Sequence, residues 1–157
     1  MPETAIVTMS MTDEYRRTQF KRLKKAIKEG FYMEAIYIES TIMDDNTELA
    51  LRIDGVWDDY FKKRRGHEPA LDSKIRYIQI AAMQKKTLLN RFFGDDLLEQ
   101  VLSWKNERNR LLQGMQKQNI TEEYIERIAE EGKHLSEILN SKCSRMKRAA
   151  EKKTADR

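Results

Sequence analysis

The sequence has little of what most redox, metal and membrane functions require. Its 157 residues include one cysteine, two prolines and two histidines. The single Cys143 excludes an intramolecular disulfide and suits a reducing cytosol. No apolar run approaches the roughly 20 residues of a membrane-spanning helix, and residues 1–11 contain none of the basic residues that begin a signal peptide. We therefore expect a cytoplasmic protein with no membrane segment.

The residue patterns of several familiar catalytic sites are also missing. The six glycines fall singly, so the sequence contains neither a phosphate-binding P-loop nor a dinucleotide-binding glycine motif. Glu131 and His134 form one Glu-x-x-His step, which is half of what a di-iron bundle needs. His67 lies in a predicted loop beside Pro69. Cys143 has no histidine at a helical spacing that would make it a nucleophile. We expect no metal and no other cofactor.

Charged and helix-forming residues are abundant. Charged residues make up 36% of the chain and apolar residues 39%, which is typical of amphipathic helices with wide polar faces or of a chain that buries more surface by dimerising. Apolar residues recur at helical spacing throughout, and no segment alternates with the period of a strand. We predict one all-α domain, an antiparallel bundle of about five helices over residues 12–141. A loose lead-in at 1–11 precedes it, and a basic helix end or tail at 142–157 follows.

Turn and N-cap residues divide the bundle into its predicted helices. Ser10 or Thr12 would cap the first helix, and Gly30 would end it. The predicted helices are residues 12–29, 31–61, 72–93, 95–114 and a fifth after Thr121, with a basic loop at 62–70 and N-caps at Asp72 or Ser73, Asp95 and Thr121.

The net charge of +4 is unevenly distributed. Residues 142–157 hold seven basic and two acidic residues, a local charge of +5, so residues 1–141 sum to −1. One side of the first predicted helix is also crowded with cations: Arg16, Arg17, Lys21, Arg22, Lys24, Lys25 and Lys28. Each basic segment is either a solvated surface or a surface that faces phosphate.

The fourth predicted helix carries an arginine where its period calls for an apolar residue. Its buried stripe is Leu97, Val101, Trp104, Leu111 and Met115, and the step between Trp104 and Leu111 falls on Arg108. A cation on a buried stripe costs several kcal/mol unless an anion meets it. That anion is either a carboxylate of the second helix, Asp45 or Glu39, or a phosphate from outside, which an arginine fork binds well.

Two segments resemble the HEPN superfamily (higher eukaryotes and prokaryotes nucleotide-binding). Residues 34–45, EAIYIESTIMDD, resemble its early long helix with an acidic position. Residues 108–114, RNRLLQG, resemble its Arg-Asn-x-x-x-His motif late in the fourth helix. The similarity in helix order covers roughly residues 12–140. It implies a homodimer in which two fourth helices face each other.

Active members of this superfamily are metal-independent endoribonucleases, often toxins or effectors of anti-phage defence, and others only bind RNA or nucleotides. By this resemblance Arg108 would hold the scissile phosphate, Asn109 would orient it, and the catalytic histidine falls on Gln113. The implied RNA- or nucleotide-binding residues are Arg108, Arg110, Glu39, Asp44 and Asp45.

Glutamine in the histidine position changes the expected activity. A glutamine side chain hydrogen-bonds but does not transfer a proton near neutral pH, and general acid–base catalysis contributes about 10²–10⁴ in rate. Gln113 therefore predicts a protein that binds RNA or a nucleotide but cleaves poorly, in a prokaryotic defence or toxin–antitoxin setting. The alternatives are an active endoribonuclease that uses another base, for which His134 is a candidate, and a non-catalytic protein-interaction module or phage-encoded inhibitor.

Overall fold

A computed structural model describes residues 12–63, 70–115, 117 and 119–155. The lead-in at 1–11, with Ser10, and most of the predicted basic loop, with His67, lie outside these residues. Within them the chain forms helices and no strand, which confirms the all-α prediction. The seven helices of this part are α1 (Asp13–Lys28), α2 (Tyr32–Ile53), α3 (Trp57–Lys63), α4 (Leu71–Ala81), α5 (Leu88–Phe93), α6 (Leu97–Met115) and α7 (Glu122–Ala155).

Seven helices replace the predicted five because two predicted helices are each broken once. The predicted second helix is divided into α2 and α3 at Gly55, whose φ of +76° is a left-handed conformation that glycine adopts readily. The following Val56 N–H reaches back to the carbonyl of Leu51 at 3.0 Å, which closes the end of α2. The predicted third helix is divided into α4 and α5 by a turn that includes Lys86 at φ 73°. Thr87 then caps α5.

Three of the predicted N-caps are confirmed and one is wrong. Thr12, Asp95 and Thr121 accept hydrogen bonds from backbone N–H groups of the first turns of α1, α6 and α7, at 3.1, 3.2 and 3.2 Å. The N-cap position of α4 is instead Ala70, two residues before Asp72 and three before Ser73, and Ala70 provides no side-chain cap. Asp72 and Ser73 therefore lie within its first turn.

Helix α2 lies at the centre of the fold, with α1, α4, α6 and α7 packed around it. Its largest contact is with α7. These two helices run in the same direction, because Glu39 faces Gly132 and, further along both helices, Asn46 contacts Cys143. The α6–α7 pair is antiparallel. Trp104 Nε1 donates to the Ile128 carbonyl at 2.9 Å. The core side chains that are fully buried include Leu23, Ile38, Met43, Leu51, Ile75, Ile78, Leu89, Leu98, Trp104, Leu111, Ile128 and Leu139.

Helix α7 continues through most of the basic C-terminal segment. It has no break between Glu122 and Ala155, and both Cys143 and Met146 are fully buried. Residues 142–155 therefore continue the helix, and its buried side extends as far as Met146. No helix in the described part of the chain is both long enough and apolar enough to cross a membrane.

Candidate functional site

The apolar stripe predicted for α6 packs against the core, and Arg108, which lies on this stripe, points toward α2. Leu97, Val101, Trp104 and Leu111 are buried as predicted, whereas Met115 at the helix end is 45% exposed, contrary to its predicted place in the stripe. Because Trp104 is anchored through its indole N–H, the turn that carries Arg108 is held firmly against the core.

The guanidinium of Arg108 is partly buried and its partners are neutral. Its Nη1 donates to Ser40 Oγ at 2.7 Å and its Nη2 donates to Asn109 Oδ1 at 2.9 Å. Its Nε is buried without a hydrogen-bond partner, and its guanidinium carbon lies 5.9 Å from the ring centroid of Trp104. Burial lowers the pKa of Arg108, and the charge of Asp44 acts in the opposite direction.

An ion pair of Arg108 with Asp45 or Glu39, one of the two alternatives that the sequence left open, does not form. Neither carboxylate is among the partners of Arg108, and no salt bridge within the described residues includes this arginine. The cation therefore has neutral hydrogen bonds but no direct anionic partner among the residues that the structure describes.

The three acidic candidates of α2 point in three directions, so they do not form the single acidic patch that the sequence suggested. Successive helical residues are rotated by about 100°. Glu39 is fully buried against α7, Asp44 is exposed on the side of α4, and Asp45 faces α1. Of the three, only Asp44 is close enough to Arg108 to affect its pKa.

Glu39 has an unusual environment for a carboxyl group. Both of its oxygens are buried without a hydrogen-bond partner, and so is the hydroxyl of Ser136. Burial raises the pKa of Glu39 to about 10, with Glu130 adding to the rise and Lys133 opposing it. Glu39 is consequently protonated at neutral pH and contributes no negative charge to a site near Arg108.

Asp45 is also displaced from its usual titration range. Burial against α1, together with the charges of Asp44 and Glu48, raises the pKa of Asp45 to about 6, and Lys74 and Arg16 oppose the rise. Its carboxyl group belongs to the α1–α2 interface.

Two further cations flank Arg108 on the surface formed by α2, α4 and α6, and both are neutralised. Lys74 is buried and forms an ion pair with Asp44, whose carbonyl it also contacts at 2.9 Å. Lys105 forms an ion pair with Asp72. The pKa of Lys105 is lowered, mainly by burial and in addition by the positive charge of the nearby Arg108. Of these three cations, Arg108 alone has no carboxylate partner in the described part of the chain.

The remaining motif residues do not surround the guanidinium. Asn109 is partly buried and contacts it, whereas Arg110 and Gln113 are exposed. Gln113 follows Arg108 by five residues, which rotates it by about 140° around the helix. In a single chain Arg108 and Gln113 therefore project away from each other.

His134 also lies apart from Arg108. It is exposed on α7 and lines a cavity of about 330 Å³ between α6 and α7, together with Ser103, Glu107 and Glu131. Arg108 is not part of this lining. No cluster of three or more metal-ligating side chains occurs within the described ranges, so the Glu-x-x-His step of α7 gains no further ligands there.

Ser40 is the site residue that the sequence did not single out. It lies inside the segment EAIYIESTIMDD, one turn before Asp44, and also donates to the carbonyl of Ile36 at 2.9 Å. The sequence offered one indication that Ser40 belongs to the site, its spacing of one helical turn from Asp44. Its contact with Arg108, however, joins residues that are 68 positions apart in the chain.

No protein-family model, curated protein or solved structure matches the chain.

Proposed function

We propose that the protein is a HEPN-like homodimer that binds RNA, or a nucleotide, at Arg108 without cleaving it. The observation that supports this function most is the partly buried guanidinium of Arg108, whose hydrogen-bond partners are neutral. The setting in prokaryotic defence or a toxin–antitoxin system rests on the sequence resemblance alone.

A phosphate group is a suitable ligand for this guanidinium. A partly buried cation without an anionic partner retains an unfavourable desolvation cost. A phosphate oxygen would remove much of that cost, because charge-assisted hydrogen bonds from arginine are short and strong. Ser40 and Asn109 hold the guanidinium in one orientation, so less rotamer entropy is lost when the ligand binds.

Exposed apolar side chains beside Arg108 support the homodimer. Leu112 and Met115 follow Arg108 on α6 by four and seven residues and are 46% and 45% exposed. Tyr37, three residues before Ser40 on α2, is 72% exposed. All three lie at helical spacing from the Arg108–Ser40 contact, so they share its side of the molecule. A second copy seated there would cover these side chains and bring two Arg108 residues together.

No histidine of the described residues lies at the same site. Gln113 occupies the motif position of the catalytic histidine, and His134 lines a cavity that does not include Arg108. The absence of general acid–base help lowers the expected rate by about 10²–10⁴, which favours binding over cleavage.

Binding is tested by fluorescence anisotropy with labelled single-stranded RNA and with a labelled nucleotide. A hydrogen bond to a charged group contributes about 1.5–3 kcal/mol, so Arg108→Ala should weaken binding about 10- to 100-fold. Arg91→Ala is the matched control, because Arg91 is an exposed arginine on α5. Unchanged binding by Arg108→Ala, with the helical circular dichroism signal preserved, would refute the proposal.

Cleavage is tested by incubating the protein with RNA in EDTA. We expect intact RNA with the wild type and measurable cleavage with Gln113→His. Robust cleavage by the wild type would instead support the active endoribonuclease.

Dimerisation is tested by light scattering after gel filtration. Leu112→Glu should convert the dimer to a monomer, and Met83→Glu should not, since Met83 is an equally apolar exposed residue (78%) at the end of α4. A monomeric wild type that binds no RNA would favour the protein-interaction module, with the apolar side chains around Arg108 as its contact surface.

A further inference from the structure

A basic groove lies between α1 and the C-terminal half of α7. Its volume is about 560 Å³. Its cations are Arg16, Arg17, Lys21 and Lys24 on one wall and Lys147 and Arg148 on the other. With two acidic residues also in the lining, the groove carries a charge of +4, equal to the net charge of the whole chain. The fold thus joins the two basic segments that are separate in the sequence.

Most of these cations form no ion pair within the described part of the chain. Arg17, Lys21, Lys24, Lys147 and Arg148 form no salt bridge with any residue that the structure describes. Some cations elsewhere are paired within the described residues, for example those of the Arg22–Glu34, Arg127–Glu107 and Lys142–Asp95 pairs. The groove therefore concentrates positive charge on two facing walls.

Arg16 holds the two walls together at the base of the groove. Its Nη2 donates to Asn46 Oδ1 at 2.7 Å and to the Asn140 carbonyl at 3.3 Å, and it also contacts Asn140 Oδ1. These bonds link α1 to both α2 and α7. The spacing of the groove is thus set by a hydrogen-bonded arginine, and the other cations extend from rigid helices.

The cations of α1 extend along the groove. Arg17 and Lys24 are seven residues apart on α1, a distance of about 10 Å along the helix axis. Each phosphate of a nucleic-acid strand carries one negative charge, so cations spread over this length can contact more than one phosphate of the same strand.

We infer that this groove binds the phosphodiester backbone of a nucleic acid, at a site separate from Arg108. A concave surface with cations on both walls fits a strand of phosphates better than the flat surface of an anionic membrane. The one aromatic residue of its lining, Phe20, packs against the core, so the groove offers no apolar side chain for insertion into lipid. Backbone contacts do not read bases, and the site therefore accepts RNA and DNA of any sequence.

The test measures binding of short single-stranded RNA, and of DNA with the same sequence, to the full chain over a range of salt concentrations. Both should bind with similar affinity. The slope of log K against log salt is about −0.7 for each neutralised phosphate of a single strand. Engagement of all the groove cations would give a slope of about −4.

Paired variants separate the groove from the overall charge. Lys21→Gln/Lys24→Gln removes two charges from one wall, and Lys147→Gln/Arg148→Gln removes two from the other. Each should weaken binding about tenfold at low salt and make the salt slope shallower by about 1.4. The matched controls, Lys25→Gln/Lys28→Gln on α1 and Lys152→Gln/Lys153→Gln on α7, remove the same charge outside the groove lining and should leave binding within about twofold.

Repeating the series with Arg108→Ala distinguishes the two sites. The groove variants should lose the same factor in that background, whatever the effect of Arg108→Ala itself. Equal losses in groove and control variants would overturn the groove, because net charge alone would then explain binding. Tighter binding to vesicles of anionic phospholipid than to RNA or DNA, or absence of nucleic-acid binding, would overturn it as well.

Discussion

Glu39 and Gly132 meet across the α2–α7 interface, where the glycine leaves room for a buried carboxyl group. A Cβ atom at position 132 would lie 2.7 Å from Glu39 Cδ and 2.7 Å from Trp104 Cζ2. Gly132 is in the middle of a 34-residue helix, where glycine costs roughly 0.5–1 kcal/mol relative to alanine. The close approach of α2, α6 and α7 at this point explains why glycine is suited to the position.

Gly132→Ala should therefore destabilise the protein despite the higher helix propensity of alanine. Overpacking a dense core costs about 1–3 kcal/mol, which exceeds the propensity gain. The measurement is the free energy of unfolding in urea. Gly114→Ala is the control, because its added methyl group would meet only the movable side chain of Ile120. Equal or greater stability of Gly132→Ala would show that the interface is looser than the structure indicates.

The buried carboxyl group of Glu39 should make stability depend on pH. Its pKa is raised from 4.5 to about 10 on folding, so its contribution is fully present below pH 4.5 and is lost as pH rises toward 10. Between these two pH values the free energy of unfolding falls by at most about 1.4 kcal/mol per pH unit. Glu39→Gln remains neutral throughout. We expect the variant to gain stability over the wild type between about pH 5 and pH 9, as measured by urea unfolding at each pH.

Asp45 is present in both proteins of that comparison, so its own titration near pH 6 cancels. The difference in stability between wild type and Glu39→Gln could instead stay constant with pH. That result would mean that the pKa of Glu39 does not change on folding.

The Lys74–Asp44 ion pair should respond asymmetrically to loss of each partner. The Lys74 side chain is 4% exposed, whereas that of Asp44 is 51% exposed. Asp44→Asn leaves a buried cation without its counter-charge, which costs about 3–5 kcal/mol. Lys74→Met leaves a carboxylate that water can solvate, and should change stability by less than about 1.5 kcal/mol. The free energies of unfolding of the two variants are compared by thermal and urea unfolding. A larger cost for Lys74→Met would contradict this assignment.

Cys143 should resist alkylation in the folded protein. Its side chain is fully buried, its thiol donates to the Asn46 carbonyl at 3.3 Å, and burial raises its pKa to about 12. Iodoacetamide requires the thiolate, so labelling should proceed only through unfolding and accelerate strongly in urea. Ser141→Cys, at an exposed position of the same helix, should be labelled rapidly without urea. Rapid native labelling of Cys143 would disprove its burial.

Much of the fold was predictable because helices are local structures. The apolar spacing of Leu97, Val101 and Trp104 predicted the buried side of α6, and side chains such as Thr12 marked a helix start. The two breaks at Gly55 and Lys86 were less predictable. A glycine or lysine is compatible with either a continued helix or a left-handed turn, and packing of the flanking segments decides between them.

The candidate site was predictable only in part. The position of Arg108 on a buried stripe follows from the helical period of the apolar residues alone. Its contact with Ser40 depends on the angle at which α6 crosses α2. The same holds for Asp44, which was predicted to bind RNA or a nucleotide and which in the fold neutralises Lys74.

The sequence by itself determined the all-α class, most helix positions, and the presence of an arginine that departs from the apolar period of its helix. These features depend on residues within a few turns of one another, where spacing and capping act directly. Only the tertiary structure decided that the guanidinium of Arg108 bonds to the neutral Ser40, that Glu39 is enclosed by Gly132 and Trp104, and that the basic segments of α1 and α7 form one groove. Such relationships join residues far apart in the chain, and the rotation and packing of whole helices determine which charges become neighbours.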